Sequence, residues 1–108
     1  MVIISYGILR DFFENHADSK DALNNFYRIA LKADWSNYLE MKTMFNSVDA
    51  VGNDRFVFNI RGNNYRLVAM IFFNIRTVYI QFAGTHNEYD KIDCSAIKKN
   101  QNSPEPPW

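Results

Sequence analysis

The sequence predicts an α+β fold in which an N-terminal hairpin of two helices packs on one face of an antiparallel β-sheet of three to four strands. Two patterns carry that expectation. Apolar residues in the first 35 positions recur at the three- and four-residue spacing of a helix. Residues 55–83 divide instead into three strand-like runs separated by turn signals. The 47% hydrophobic fraction, with nine phenylalanines in 108 residues, is enough for one two-layer core and one domain.

Taken in order, Met1–Ser5 is a short apolar start suited to an edge strand. Ile8, Leu9, Phe12, Phe13 and His16 then form one stripe of a helix. Ser19 is placed to N-cap a second helix, with Asp21 in its first turn. Leu23, Phe26, Tyr27 and Ala30 supply that helix's apolar face, which is expected to run to about Trp35. Tyr38–Phe45 is predicted as a short strand or extended segment, and Asn46–Asp54 as a loop. In Arg55–Arg61, Phe56, Phe58 and Ile60 alternate against Arg55, Val57, Asn59 and Arg61. Gly62-Asn63-Asn64 is a hairpin turn, because these residues tolerate the positive φ that such turns need. Tyr65–Phe73 is nearly continuous in apolar residues, which predicts a central strand covered on both faces. A second turn at residues 74–77 leads to a strand in which Val78, Ile80 and Phe82 share one face, ending at Gly84. Tyr89–Ile97 is expected to close the domain as a short helix, and a start at Thr85 or Asn87 would put His86 and Tyr89 on neighbouring faces. Residues 1–97 then form the single domain, and the polar, proline-rich residues 98–108 a disordered tail.

Charge adds a functional direction. The chain is neutral overall, yet residues 1–54 hold 5 Lys/Arg against 8 Asp/Glu and residues 55–108 hold 7 against 4. From Arg55 to Asn87 there are four arginines, no lysine and no acid. A guanidinium binds phosphate in a planar, bidentate way that lysine cannot match, so the basic strands point to a polyanion, RNA first. The single cysteine, Cys94, excludes an internal disulfide and suits a reducing cytoplasm. The longest apolar run, Leu67–Phe73, is far short of the ~20 residues of a membrane helix, and no signal peptide is evident. Two separated histidines and one cysteine give no metal-site spacing, and no phosphate-binding glycine loop is present, so neither metal nor cofactor is expected.

The candidate chemistry lies just past the last strand. RNA carries its own nucleophile, the 2′-hydroxyl. Cutting it requires a proton acceptor, a proton donor to the leaving 5′-oxygen, and cations to hold the phosphate. His86 has the side chain whose unperturbed pKa lies nearest neutrality; Tyr89 or Lys91 can assist, and Arg66 and Arg61 can clamp phosphate. Arg66 stands out because it interrupts an apolar run. The bland alternatives remain: a lone histidine at a strand end is more often structural or capping, and Tyr89 serves equally well as a packing ring. Arg55 and Arg76 flank turns, where charges are ordinarily solvated, and His16 reads as a core-edge histidine.

Two segments carry a closer resemblance: Arg55-Phe-Val-Phe-Asn-Ile-Arg-Gly-Asn-Asn-Tyr-Arg-Leu-Val-Ala69, and Val78-Tyr-Ile-Gln-Phe-Ala-Gly-Thr-His-Asn-Glu-Tyr-Asp-Lys-Ile-Asp93. The chain resembles the HigB-type toxins of the RelE superfamily over nearly all of residues 1–95. That resemblance implies a compact RelE-like fold and a bacterial type II toxin that cleaves mRNA on translating ribosomes. It also implies neutralisation by a HigA-like antitoxin with a helix-turn-helix domain, so that operator DNA is met only through the antitoxin. By position it implies a catalytic set of His86, Tyr89, Arg66 and Lys91, with Arg55, Arg61, Arg76 and Gln81 on the RNA. Gln81 departs from the arginine common at its position in the family. Loss of that charge leaves a second reading, a catalytically weakened binding or regulatory protein that acts only through its antitoxin complex. Branches of the superfold that poison gyrase fit the Gly-Thr-His-x-Glu-Tyr-Asp ending less well.

Overall fold

The computed structural model describes residues 1–45, 47–62 and 64–92. Its elements are β1 (Val2–Ile4), α1 (Tyr6–Asn15), α2 (Lys20–Lys32), α3 (Tyr38–Lys42), β2 (Val48–Gly52), β3 (Arg55–Ile60), β4 (Tyr65–Phe72), β5 (Thr77–Thr85) and α4 (His86–Asp90). Short 3₁₀ turns at Ala17–Ser19 and Phe73–Ile75 link α1 to α2 and β4 to β5.

Both N-terminal helices follow their apolar stripes. Leu9 and Phe13 of α1, and Leu23, Phe26 and Ala30 of α2, are buried. Ser19 does occupy the N-cap position of α2, but its backbone is already helical and its hydroxyl donates to the His16 carbonyl at 2.7 Å. It therefore fastens the 3₁₀ turn instead of accepting from the helix. The helix stops at Lys32, short of Trp35.

The extended segment expected at Tyr38–Phe45 is instead α3. The Asn37 side chain accepts from the Glu40 backbone N–H at 2.9 Å, a strong N-cap, and Tyr38, Met41 and Phe45 fall at i, i+3 and i+7. Met41 is fully buried as a result. The loop expected at Asn46–Asp54 contains β2, whose short Val-Asp-Ala-Val pattern is too weakly alternating to announce a strand. Backbone pairing with β3 stabilises it (Val48 opposite Phe58, Ala50 opposite Phe56). Gly52, Asn53 and Asp54 turn the chain through positive φ.

Among the described residues the sheet therefore has five strands, not three or four, in the order β1-β5-β4-β3-β2. It is mixed rather than purely antiparallel, because β1 pairs parallel to β5. β4 is central, as its apolar run requires, and residues 66–71 are all buried. Phe56, Phe58, Ile60, Leu67, Ala69, Ile71, Val78 and Ile80 form the sheet side of the main core, facing α1 and α2.

The expected alternation in β5 holds only as far as Ile80. Val68 lies opposite Phe82 and Ala69 opposite Ile80, so Gln81 is the extra residue of a β-bulge. The bulge transfers Phe82 to the second face, where it packs with Val57, Val68, Tyr89 and Ile92, and returns Ala83 to the main core. The second face is thus partly covered by α4 rather than wholly open. The closing helix begins at His86, ahead of Tyr89, and ends at Asp90, so Lys91 is its C-cap and Ile92 lies beyond it; residues 93–97 of the expected helix and the tail 98–108 lie outside the described residues, as does Asn63 of the β3–β4 turn. No helix among the described residues is long and apolar enough to cross a membrane.

Candidate active site

The end of the β4–β5 ladder is built to present α4. Thr85 closes β5 and N-caps α4: its hydroxyl accepts from the Glu88 N–H at 3.2 Å, while the Glu88 carboxylate accepts from the Thr85 N–H at 2.8 Å. This reciprocal capping box satisfies two otherwise orphaned donors and fixes where the helix starts. The His86 N–H reaches across to the Asn64 carbonyl of the β3–β4 turn, 3.3 Å away. Arg66 lies opposite Gly84 in the ladder. A Cβ at residue 84 would stand 2.4 Å from the tip of the Phe82 ring and 3.1 Å from the Glu88 carboxylate. Glycine here makes room for the packing of β5 beneath α4.

Arg66 is only 8% exposed. Its Nη1 donates to the Tyr65 carbonyl at 3.2 Å, and its Nη2 lies 2.7 Å from His86 Nδ1. The guanidinium carbon stands 5.9 Å from the centre of the Tyr89 ring, within cation–π range. His86 Nε2 is 3.1 Å from Asp90 Oδ2, one helical turn on. A guanidinium can only donate, so Nδ1 must accept and the neutral imidazole carries its proton on Nε2. Asn64, Arg66, Thr85, His86 and Asn87 line an open cleft of ≈ 520 Å³ above this group. The cleft offers a buried cation, an imidazole and wide access for a polymer.

Of the expected catalytic residues, the structure brings Arg66, His86 and Tyr89 together. Lys91 follows α4 as its C-cap and is exposed at the far end of the helix. Arg55 shares the face of Arg66 and donates to Gln81 Oε1 at 3.0 Å. Arg61 projects from the β3–β4 turn to Asp18, 3.4 Å away. Arg76 is bonded to Asp34 at 2.7 Å and sits at the other end of β4–β5, about 20 Å from Arg66 at the rise of a strand. Asp90, Asn64 and Thr85 were not among the expected site residues. Thr85-x-x-Glu88 is a capping-box signature, and a helix starting there places His86 and Asp90 at i, i+4.

Residues 19–92 match the family HigB_toxin, the RelE-like toxic component of a toxin–antitoxin system. The chain is 31% identical over 94 residues to the mRNA interferase HigB of Escherichia coli O6:H1, covering 85% of this chain and 91% of that protein. It is 33% identical over 92 residues to the mRNA interferase toxin HigB of Escherichia coli K12, covering 83% and 88% respectively. The mRNA interferase HigB of Shigella flexneri matches to the same extent. With the family matched from α2 through β2–β5 and the cleft, the chain belongs to the HigB toxins, RelE-like toxic components of toxin–antitoxin systems.

Proposed function

We propose that this chain is an endoribonuclease that cuts mRNA on translating ribosomes in the cytoplasm and is held inactive by a HigA-like antitoxin. One observation carries the catalytic part: the buried Arg66 hydrogen-bonded to His86 on the floor of an open cleft. The names of the relatives, mRNA interferases, point to the same substrate. In the proposed reaction the 2′-hydroxyl proton passes to His86, and O2′ attacks the adjacent phosphorus. The P–O5′ bond then breaks, and O5′ takes a proton from Tyr89 or Lys91. The products are a 2′,3′-cyclic phosphate and a 5′-hydroxyl end. Arg66 holds the phosphate oxygens as charge builds on them, a contact worth about 10²–10³ in rate in comparable sites.

The test is tightly induced expression in a bacterial host of wild type beside His86→Ala and Arg66→Ala, scoring growth and mapping RNA 5′ ends. Growth arrest with new 5′-hydroxyl ends inside translated regions, lost in both variants, is the expected result. Arrest and cleavage that persist in both variants overturn the assignment. The second reading, a weakened toxin, is favoured by Gln81, a neutral side chain engaged by Arg55 where relatives are expected to carry arginine. On that reading wild type grows normally, and Gln81→Arg brings the arrest back.

A further inference from the structure

We propose that Asp90 is a positioning residue that fixes His86 in its Nε2–H form, making Nδ1 the nitrogen that takes the proton from the RNA. This rests on the ribonuclease reading and assigns the atoms within it. On one side of the ring, Arg66 Nη2 stands 2.7 Å from Nδ1. On the other, Asp90 Oδ2 stands 3.1 Å from Nε2. A donor-only group and an acceptor-only group thus bracket one imidazole and select the same tautomer from opposite sides.

Stability does not explain the pair. Both side chains are about half exposed, at 52% and 55%, and an exposed i, i+4 pair on a helix contributes little to folding. Reaction geometry does explain it. Once protonated, Nδ1 can no longer accept from a guanidinium, so Nη2 must leave it before or during the transfer. An incoming phosphate provides the reason to leave, since a doubly acceptor anion is the better partner for Arg66. At that moment the ring loses its Arg66 contact and keeps its Asp90 contact. The 2′-hydroxyl proton then moves to Nδ1. The resulting imidazolium keeps its Nε2–H on the Asp90 carboxylate, whose charge offsets the new positive charge. RNA filling the cleft excludes water and strengthens that contact.

His16 supplies an internal control. Its Nδ1 lies 3.2 Å from the Phe12 carbonyl, an acceptor, so in the neutral ring that nitrogen must carry the proton. The two histidines of this chain are therefore opposite tautomers.

Ring-nitrogen NMR with both imidazoles neutral, assigned with His86→Ala, tests the ring state without any RNA. Wild type should show the proton of His86 on Nε2 and that of His16 on Nδ1. In Arg66→Met, where Asp90 is the remaining selector, the proton should stay on Nε2; adding Asp90→Ala should turn His86 into a mixture and leave His16 unchanged, and adding Asp90→Asn instead, which keeps an acceptor oxygen, should recover much of the Nε2–H form. A wild-type proton on Nδ1 of His86, or a tautomer in Arg66→Met that is indifferent to the added Asp90→Ala, overturns the proposal. The second arm measures single-turnover cleavage of mRNA on programmed ribosomes. Asp90→Ala should lower the rate about 10²-fold with unchanged RNA affinity, and Asp90→Asn should fall between it and wild type. His86-dependent cleavage that proceeds at full rate in Asp90→Ala sinks the role of Asp90 alone. Cleavage indifferent to His86→Ala sinks the ribonuclease site itself, so the two failures are distinguishable.

Discussion

Arg66 separates the requirements of folding from those of function. A buried cation carries a desolvation penalty, and an apolar side chain of similar size commonly replaces such a group with no loss of stability. Arg66 occupies a β4 position flanked by Tyr65 and Leu67 and is only 8% exposed. Arg66→Met is therefore expected to keep thermal stability within about 1 kcal/mol of wild type while cleavage is lost. Melting curves beside a cleavage assay check this, and a fall of several kcal/mol would show that the arginine is structural. Tyr65, the neighbour on the opposite face, gives a prediction in pH. Its hydroxyl donates to Asp18 at 2.5 Å, and that bond holds the phenol above the ordinary tyrosine range, aided by burial and the Asp18 charge and opposed by Arg61. Because the folded pKa is the higher one, this stabilisation is complete below the unfolded value, about 10, and disappears as pH rises through the folded value. Wild type should thus melt above Tyr65→Phe at neutral pH and converge with it in strong alkali. A difference that persists through the alkaline range counts against the bond.

At the scale of elements, the proposed active site depends on one short helix. α4 has five residues, too few to be stable alone, and carries His86, Tyr89 and Asp90. Thr85→Ala removes half of the capping box and should cost about 1 kcal/mol, while Thr85→Ser should be close to silent. Because all three side chains shift together, cleavage should fall far more than stability, and comparing the two losses is the measurement. The sequence disclosed α1, α2 and the β3–β4–β5 core because their periodicities are long and regular. It also singled out Arg66, since a charge inside an apolar run is visible without a structure. It concealed α3, where a capping asparagine and three spaced apolar residues outweigh a segment that reads as extended. It concealed β2, an edge strand held by its neighbour rather than by its own pattern. The bulge at Gln81 was also hidden, because a single inserted residue leaves local composition unchanged while reversing which face Phe82 covers. Asp90 went unassigned because its contact with His86 depends on where the closing helix starts, which the sequence left open between Thr85 and Tyr89.

At the scale of the whole molecule, folding brings acids of the N-terminal half onto arginines of the C-terminal half. Arg61 meets Asp18, and Arg76 meets Asp34. The basic character suggested by residues 55–87 therefore narrows to the face that carries Arg66 and Arg55, with Lys91 exposed beyond α4. Arg61 and Arg76 can join an RNA contact only in competition with those carboxylates. Two or so phosphate contacts predict a shallow salt dependence for free single-stranded RNA, since the slope of log K against log salt is about −0.7 per contact. For His86→Ala, inert under the proposed mechanism, a slope between about −1 and −2 is expected, or roughly a four- to sixteen-fold loss of affinity over a fourfold rise in salt. Titrations of a labelled transcript at several salt concentrations measure it. A slope of about −3 or steeper would mean that Arg61 and Arg76 release their acids and the whole basic sheet engages the RNA. A shallow slope carries a consequence for activity. A protein that grips RNA so lightly needs its substrate positioned by something else, so a naked transcript should be cut slowly by wild type and ribosome-bound mRNA quickly. Equal rates on the two would show that the cleft alone supplies the binding.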